Sequence, residues 1–534
     1  MIYLRYISLA IALVCNIVAS VAWCQITRTA PRLTVIISIN GLDNYEIESF
    51  SKMLEPNGMR RLISGIYNPN ATCSYMVTGP TTDYASLMTG STPHYHGIVA
   101  SKFFSLIDGD VVSCIDDARY EGINTKDMVS PRLLQATTLA DQIKLNNPKS
   151  KVYAIALNAE SAIMLGGHLA DGAIWFDNAN AGICTSTFYD KGLPRWAEKI
   201  NRDGSMRSSC ANNWQPLFSL PSYQYAPIGS YISGEKPTFL KFSDTDDNYD
   251  FMKKFRLSPF VNDIIQELAT RAIRDEQLGT DDATDLLCIE FNAHSPFDSH
   301  TLCAENEDLI TRLDRNIKSL LDIIEISVGL ENSLIVLTAP HNSPTQIQQD
   351  NPRIPSGSFN SRRAMALLNS YLMAIYGQGR WVSGYYDKNI SLNKSLIEDE
   401  NIKMTEIQNY VAQFMLEFSG VHTAIPAYQI QTAASLPNDM PSRMRNSHYK
   451  NRSGDVVFTL LPGWVEFDEK LNRTLFPSIS QPYTPIAIWN KEIKHAKIEI
   501  MIEDLCATIC RILQIPYPNA CIGTPHQIES TNHR

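Results

Sequence analysis

Five short, continuous apolar runs set the strongest limit on what this chain can fold into: Leu33–Ile39, Val152–Leu157, Leu286–Phe291, Leu334–Thr338 and Pro485–Trp489. Runs without polar alternation suit strands that are covered on both faces, as in a parallel sheet. Between them lie segments with helical periodicity. Leu133–Leu145 is one, Pro259–Leu278 another (Val261, Ile264, Ile265 and Leu268 on one face), and Leu309–Ile326 a third (Leu313, Ile317, Leu320, Leu321 and Ile324). Strand–helix alternation over this length predicts an α/β fold with a doubly wound, mostly parallel sheet flanked by helices. Ligands are then expected at the carboxyl ends of the strands. The segments Trp175–Asp247 and Gln348–Asp455 break the rhythm; rich in Asn, Ser, Tyr and Pro, they read as insertions or a cap over one edge.

The stretch Tyr75–Ile98, YMVTGPTTDYASLMTGSTPHYHGI, carries the densest local signals. Gly79-Pro80 makes a turn, Pro80 suits a first helical position, and Thr89-Gly90 ends the helix, because glycine supplies the left-handed residue. A helix starting there presents free backbone N–H groups, with the hydroxyls of Thr78, Thr81 and Thr82 beside them, to an anion. Elsewhere, Asp314 and Arg315 on the third helix read as an exposed ion-pairing face. Glu290, alone among apolar neighbours, needs a partner if it is buried, and a Lys or Arg from a neighbouring strand end is expected.

Residues 1–24 read as a signal peptide. Arg5 supplies the positive region and Ile7–Trp23 an apolar core too short for a convincing membrane span, with cleavage before Gln25. The expectation is therefore an exported protein, periplasmic or extracellular, without a transmembrane span after cleavage. Residues 25–534 then form one α/β domain with its inserts. Of 11 cysteines, nine remain after cleavage, so at least one thiol stays unpaired. Cys288 lies in an apolar strand and reads as core. Cys506 and Cys510 share a helical face that the later Cys521 is able to reach. No C-x-x-C pair supports a cysteine zinc site. The net charge of −10 argues against a nucleic-acid partner and reads as a solvated acidic surface.

Taken together, the segments APRLTVIISINGLD, MTGSTPHYHGI, GAIWFD, TSTFYDKGLPRWAEKIN, DDATDLLCIEF, TRLDRNIKSLLDII, LIVLTAPHN, GDVVFTLLPGWVE and PNACIG resemble the alkaline phosphatase superfamily. The likeness is to its phosphate-irrepressible, PafA-like branch and runs from about Ala30 to Gly523. It implies an alkaline-phosphatase-like fold and a site with two zinc ions held by three Asp and three His. A Thr or Ser at the start of the central helix would attack phosphorus, activated by metal.

Position by position, this chain departs from that design. The first-strand Asp corresponds to Asn40, and the nucleophile to Pro80, flanked by Thr78 and Thr81 as substitute nucleophiles. The D-x-x-x-H ligands correspond to Ser295 and Ser299, with Asp298 and His300 nearby but out of register. The later Asp-His pair is Pro340-His341, so His341 is the one residual ligand. The last His has no counterpart between Val465 and Lys494. The phosphate-contacting Asn corresponds to Ser101, and the Lys-x-Arg clamp to Asn158 and Glu160, a neutral and an acidic residue where phosphate wants cations.

The expected function is accordingly a pseudo-phosphatase without a cofactor, its pocket binding a small ligand or an envelope protein. The alternative is a zinc-dependent phosphomonoesterase or phosphodiesterase with relocated ligands. Its raw materials are Thr81 or Thr78, Asp83, Asp298, His300, His341 and His94-x-His96. A third reading makes the chain a structural part of an envelope assembly, held through its polar insertions.

Overall fold

The computed structural model describes residues 30–229, 231, 237–297, 301–341, 356–432, 439–468, 473–476 and 483–528. The expected signal segment 1–24 and Asp298, Ser299 and His300 lie outside the described residues. No helix among the described residues is long and apolar enough to cross a membrane.

A nine-stranded sheet forms the centre. Its strands are β1 (Leu33–Asn40), β2 (Ile66–Ala71), β3 (Gly122–Ile123), β4 (Val152–Ile155), β5 (Gly172–Asp177), β6 (Gly182–Ser186), β7 (Asp285–Asn292), β8 (Ser333–Thr338) and β9 (Thr484–Trp489). The order is β2-β9-β8-β1-β7-β4-β5-β6-β3. The five strands from β8 to β5 are parallel. Each edge is closed by antiparallel strands, β9 and β2 on one side, β6 and β3 on the other. The apolar run Pro485–Trp489 is thus a strand, but an antiparallel one.

Alternate residues of the parallel strands serve two cores, as the period of two requires. Val35, Ile37, Leu287, Ile289, Ile335 and Leu337 face helices α4 (Pro259–Asp275) and α5 (Ala304–Ser327). Ile36, Leu286, Cys288, Leu334 and Val336 face α1 (Pro80–Thr89), α2 (Leu139–Asn146), α3 (Ala159–Gly166) and α6 (Ile502–Leu513). Cys288 is fully buried, as expected for core. Each such Leu or Ile contributes about 2 kcal/mol by leaving water. Helix α2 begins six residues later than its apolar pattern suggests. Thr138 and Asp141 form a reciprocal capping box that fixes its start, and Pro131–Leu133 is a separate 3-10 turn.

Both irregular segments carry more structure than their composition indicates. The end of β5 and all of β6 lie within 175–247, so this stretch extends the central sheet before it leaves it. The turn 178–181 joins β5 and β6 as a hairpin. Further on, Trp214 and Tyr223 are anchored at the start of α5 by hydrogen bonds to Asp308. The second segment builds a four-stranded antiparallel sheet from Val382–Tyr386, Asn389–Leu392, Val456–Leu460 and Val421–Pro426, with its own core around Trp381, Ile390, Val411 and Phe458. This lobe takes in Val456–Leu460 and so runs past Asp455.

The acidic surplus is not simply a solvated surface. Glu46, Asp83, Asp141, Glu290, Glu305, Glu307, Asp308 and Asp314 are all buried. Asp314 in particular is not on an exposed face. Its carboxylate accepts the backbone N–H groups of Glu55 (2.5 Å) and Met59 (2.6 Å), holding the loop that precedes the helix Met59–Ile63. Arg315 does lie outside, 3.7 Å from Glu55.

Burial pushes the Asp314 carboxyl up to about 6 from its ordinary 3.8, while the two backbone donors pull it back. The folded chain therefore holds this proton at pH values where the unfolded chain has released it. Stability linked to Asp314 is present below about pH 4 and is lost as pH rises through about 6. Urea unfolding of the native protein and of Asp314→Asn at pH 5 and pH 7 should differ accordingly. The native protein gains about 1.3 kcal/mol on acidification over that interval through this group, and the variant loses that part of the gain.

Candidate functional site

The carboxyl ends of the parallel strands meet the start of α1, the place where this architecture holds ligands. Gly79, at φ +144°, turns the chain into the helix, and Pro80 occupies its first turn, where its missing N–H costs nothing. Gly90 ends the helix in the left-handed conformation. Thr78 is committed: its hydroxyl donates to the Val99 carbonyl (2.8 Å) and lies 2.7 Å from the Thr82 hydroxyl. Thr81 and Thr82 are buried. A hydroxyl whose proton serves a backbone carbonyl has no base to activate it.

Asp83, one turn into α1, is the residue that organises this end. One carboxylate oxygen accepts the Tyr75 hydroxyl (2.6 Å). The other lies 2.6 Å from the His341 backbone N–H and 3.0 Å from His341 Nδ1. Asp83 and His341 are both buried. Burial, reinforced by the Asp83 charge, drives the Tyr75 phenol well above its ordinary range, so it stays a donor. The structure therefore brings together His341 and Asp83 among the sequence candidates, but leaves out the histidine pair. His96 hydrogen-bonds Ser86 (3.0 Å) and accepts Ile98 N–H (3.1 Å), and burial pushes it down to about 3, so it is a neutral core residue. His94 turns the other way, to the His448 carbonyl (2.9 Å).

A second network centres on Glu290, which is fully buried on β7. One of its oxygens accepts from Tyr84 (2.8 Å), Ser161 (3.1 Å) and the Asn40 amide (3.2 Å), the other from Leu157 N–H (2.9 Å). Burial raises its pKa, and these donors together with the charge of Arg256 oppose the rise. Arg256 comes from the end of the helix Asn248–Arg256, not from a strand end as expected. It donates to the carbonyls of Leu157 and Phe176, beyond the end of β4 and within β5. Asn40 Oδ1 lies 3.2 Å from His294 Nε2. The turn after β1 must be glycine: Gly41 has φ +96°, and a Cβ there would sit 3.0 Å from the His294 ring.

The remaining candidates are likewise occupied. Asn158 caps α3 by accepting Ser161 N–H (2.9 Å), and Glu160 follows in the first turn, only partly buried. Ser295 donates to Asn306 Oδ1 (2.5 Å). Pro340 precedes His341 directly after β8. Ser101 lies near Tyr386 of the four-stranded lobe. Beside it is a cavity of about 20 Å³ lined by Thr78, Lys102, Phe104, Tyr386, Asn389 and Arg452, room for about one water. Arg452 closes its wall, donating to the carbonyls of Gly97 and Leu133 (both 2.6 Å).

These donors do not fit a two-zinc site. Such a site needs several carboxylates and imidazoles converging with open lone pairs. Asn40 offers a neutral amide already tied to Glu290 and His294, and His341 presents Nδ1 to Asp83. Among the described residues, no three His, Cys, Asp or Glu side chains converge as metal ligands. Asp83 and Glu290 are the residues that sequence reasoning undervalued. For Glu290 the available signal was a charged side chain in an apolar strand; Asp83 sits in a helix already rich in Thr and Ser and gave none.

This layout of sheet and helices is that of the alkaline phosphatase superfamily. The crystal structure of alkaline phosphatase PafA superposes with a TM-score of 0.81 over 93% of this chain and 99% of that one, at 24% identity. The chain belongs to the type I phosphodiesterase / nucleotide pyrophosphatase family, whose sequence model matches residues 34–480, and it is PafA-like. Alkaline phosphatase PafA of Elizabethkingia meningoseptica is 26% identical over 545 residues, covering 95% of this chain and 96% of its own length. A protein of Myroides odoratus described as a calcium-transporting ATPase is 26% identical, covering 93% and 94%.

The Glu290 network gives a direct test of its structural weight. Glu290→Ala removes the shared acceptor of four donors and should cost about 3 kcal/mol or more in denaturant unfolding. Ser161→Ala, which removes one of the four, should cost about 1 kcal/mol.

Proposed function

We propose that this protein is an exported pseudo-phosphatase. It keeps the superfamily fold, has given up the two-zinc site and the nucleophile, and uses the cleft region to bind a small ligand or an envelope partner. The observation that carries the reading is the closed network at Asn40. The residue matching a zinc-binding Asp is an amide held between Glu290 and His294, so its oxygen is engaged within the protein. Pro80 in the nucleophile position and Asn158 and Glu160 in place of the cationic clamp support the same reading. An Asp–His pair remains in Asp83 and His341, but a carboxylate holding one imidazole is also a common structural pairing.

The competing reading, a metal-dependent hydrolase, draws on Asp298, His300 and His341 as zinc ligands with Thr81 or Thr78 as nucleophile. Metal content of the purified protein by mass spectrometry, alongside hydrolysis of generic phosphate mono- and diesters with zinc added, separates the two. The expected result is less than stoichiometric zinc and no turnover above the protein-free rate. Near-stoichiometric zinc with zinc-dependent turnover that falls on His341→Ala would establish the hydrolase instead.

A further inference from the structure

After α6 the chain doubles back and lies as a strap across that helix and the end of α1. Ile522 N–H and Gly523 N–H both donate to the Gly90 carbonyl (2.8 and 3.1 Å), Thr524 N–H to Asp504 Oδ1 (2.6 Å), and His526 N–H to Thr508 Oγ1 (3.1 Å). Two cysteines meet under this strap. The point where a Gly90 side chain would begin is 2.5 Å from Cys521 Sγ and 3.2 Å from Cys506 Cβ. The absent side chain of Gly90 is thus what lets them approach, while the Cys506 thiol donates to the Met88 carbonyl (3.4 Å). Cys521 is half-buried, whereas the other cysteines among the described residues are buried.

We propose that Cys506 and Cys521 form an intramolecular disulfide that fastens the C-terminal strap to α6 beside the end of the site-bearing helix α1. The neighbouring Cys506 lowers the Cys521 thiol to about 7, which makes the accessible cysteine the attacking one. Its thiolate attacks one sulfur of a disulfide donor RSSR, forming a mixed disulfide and releasing RS⁻. Cys506 then gives its proton to that thiolate and attacks the Cys521 sulfur, releasing the second RS⁻, which takes a proton from water. Two protein thiols are oxidised to one disulfide and RSSR is reduced to two thiols. Cys510 lies one turn along the same face of α6, so it is the competitor the test must exclude.

The experiment uses the full purified chain and oxidised glutathione as RSSR, and its outcome does not depend on whether the protein is exported or catalytic. Thiols are counted after denaturation, and linked peptides are mapped by mass spectrometry. The expected result is the loss of two thiols, a Cys506–Cys521 linked peptide, and restoration by dithiothreitol. Cys510→Ser should react like the native protein, while Cys521→Ser, at a half-exposed position that leaves the core intact, should retain all its remaining thiols. A Cys506–Cys510 link, a stable glutathione adduct on Cys521, or no loss of thiols would each overturn the proposal.

Discussion

A single buried carboxylate, Glu290, imposes the tightest physical condition on this structure. Ionised in a low-dielectric interior, it would cost several kcal/mol without partners. Its four donors come from the end of β1, the second turn of α1, the first turn of α3, and the backbone just after β4. Those elements are therefore positioned relative to one another by one group. The strand ends where relatives of this fold place their chemistry are here linked by hydrogen bonds that are satisfied within the protein. Such networks favour one arrangement strongly when complete.

Carboxylates do similar work elsewhere. Asp83 fixes the chain after β8 through His341, Asp308 holds the segment around Trp214, and Asp314 holds the loop before Met59. In each case the acceptor side chain satisfies backbone or ring N–H groups that would otherwise be buried without partners. Much of the acidic character is thus spent on internal structure, which a count of charges cannot distinguish from a hydrated surface.

The central strands were legible because burial on both faces leaves an uninterrupted apolar signature, as in Leu33–Ile39 and Leu286–Phe291. The limits of α1 were legible for a different reason: Pro80 and Gly90 have narrow backbone preferences. What the sequence concealed was tertiary. Asp314 sits among charges on a helical pattern, and only the loop tucked against it makes it interior. The pairing of Asp83 with His341 joins residues 258 positions apart. β6 was hidden because an edge hairpin joined by an Asn-rich turn does not look like a buried strand. The candidate positions Asn40, Pro80, Asn158 and Glu160 came from family likeness, and their neighbours' hydrogen bonds came from structure alone.

The position of β1 at the middle of the sheet sets a timetable for the chain. Both strands that flank it, β7 and β8, come from far downstream; 250 residues separate Asn40 from the Glu290 it bonds. During synthesis from the N-terminus, the first strand to emerge has no partner until residue 285 of 534. Contacts of such separation form slowly because a large loop must close first. The strands β4, β5, β6 and β3 pair among themselves within residues 122–186, so that flank of the sheet is able to assemble first and the centre of the sheet closes last.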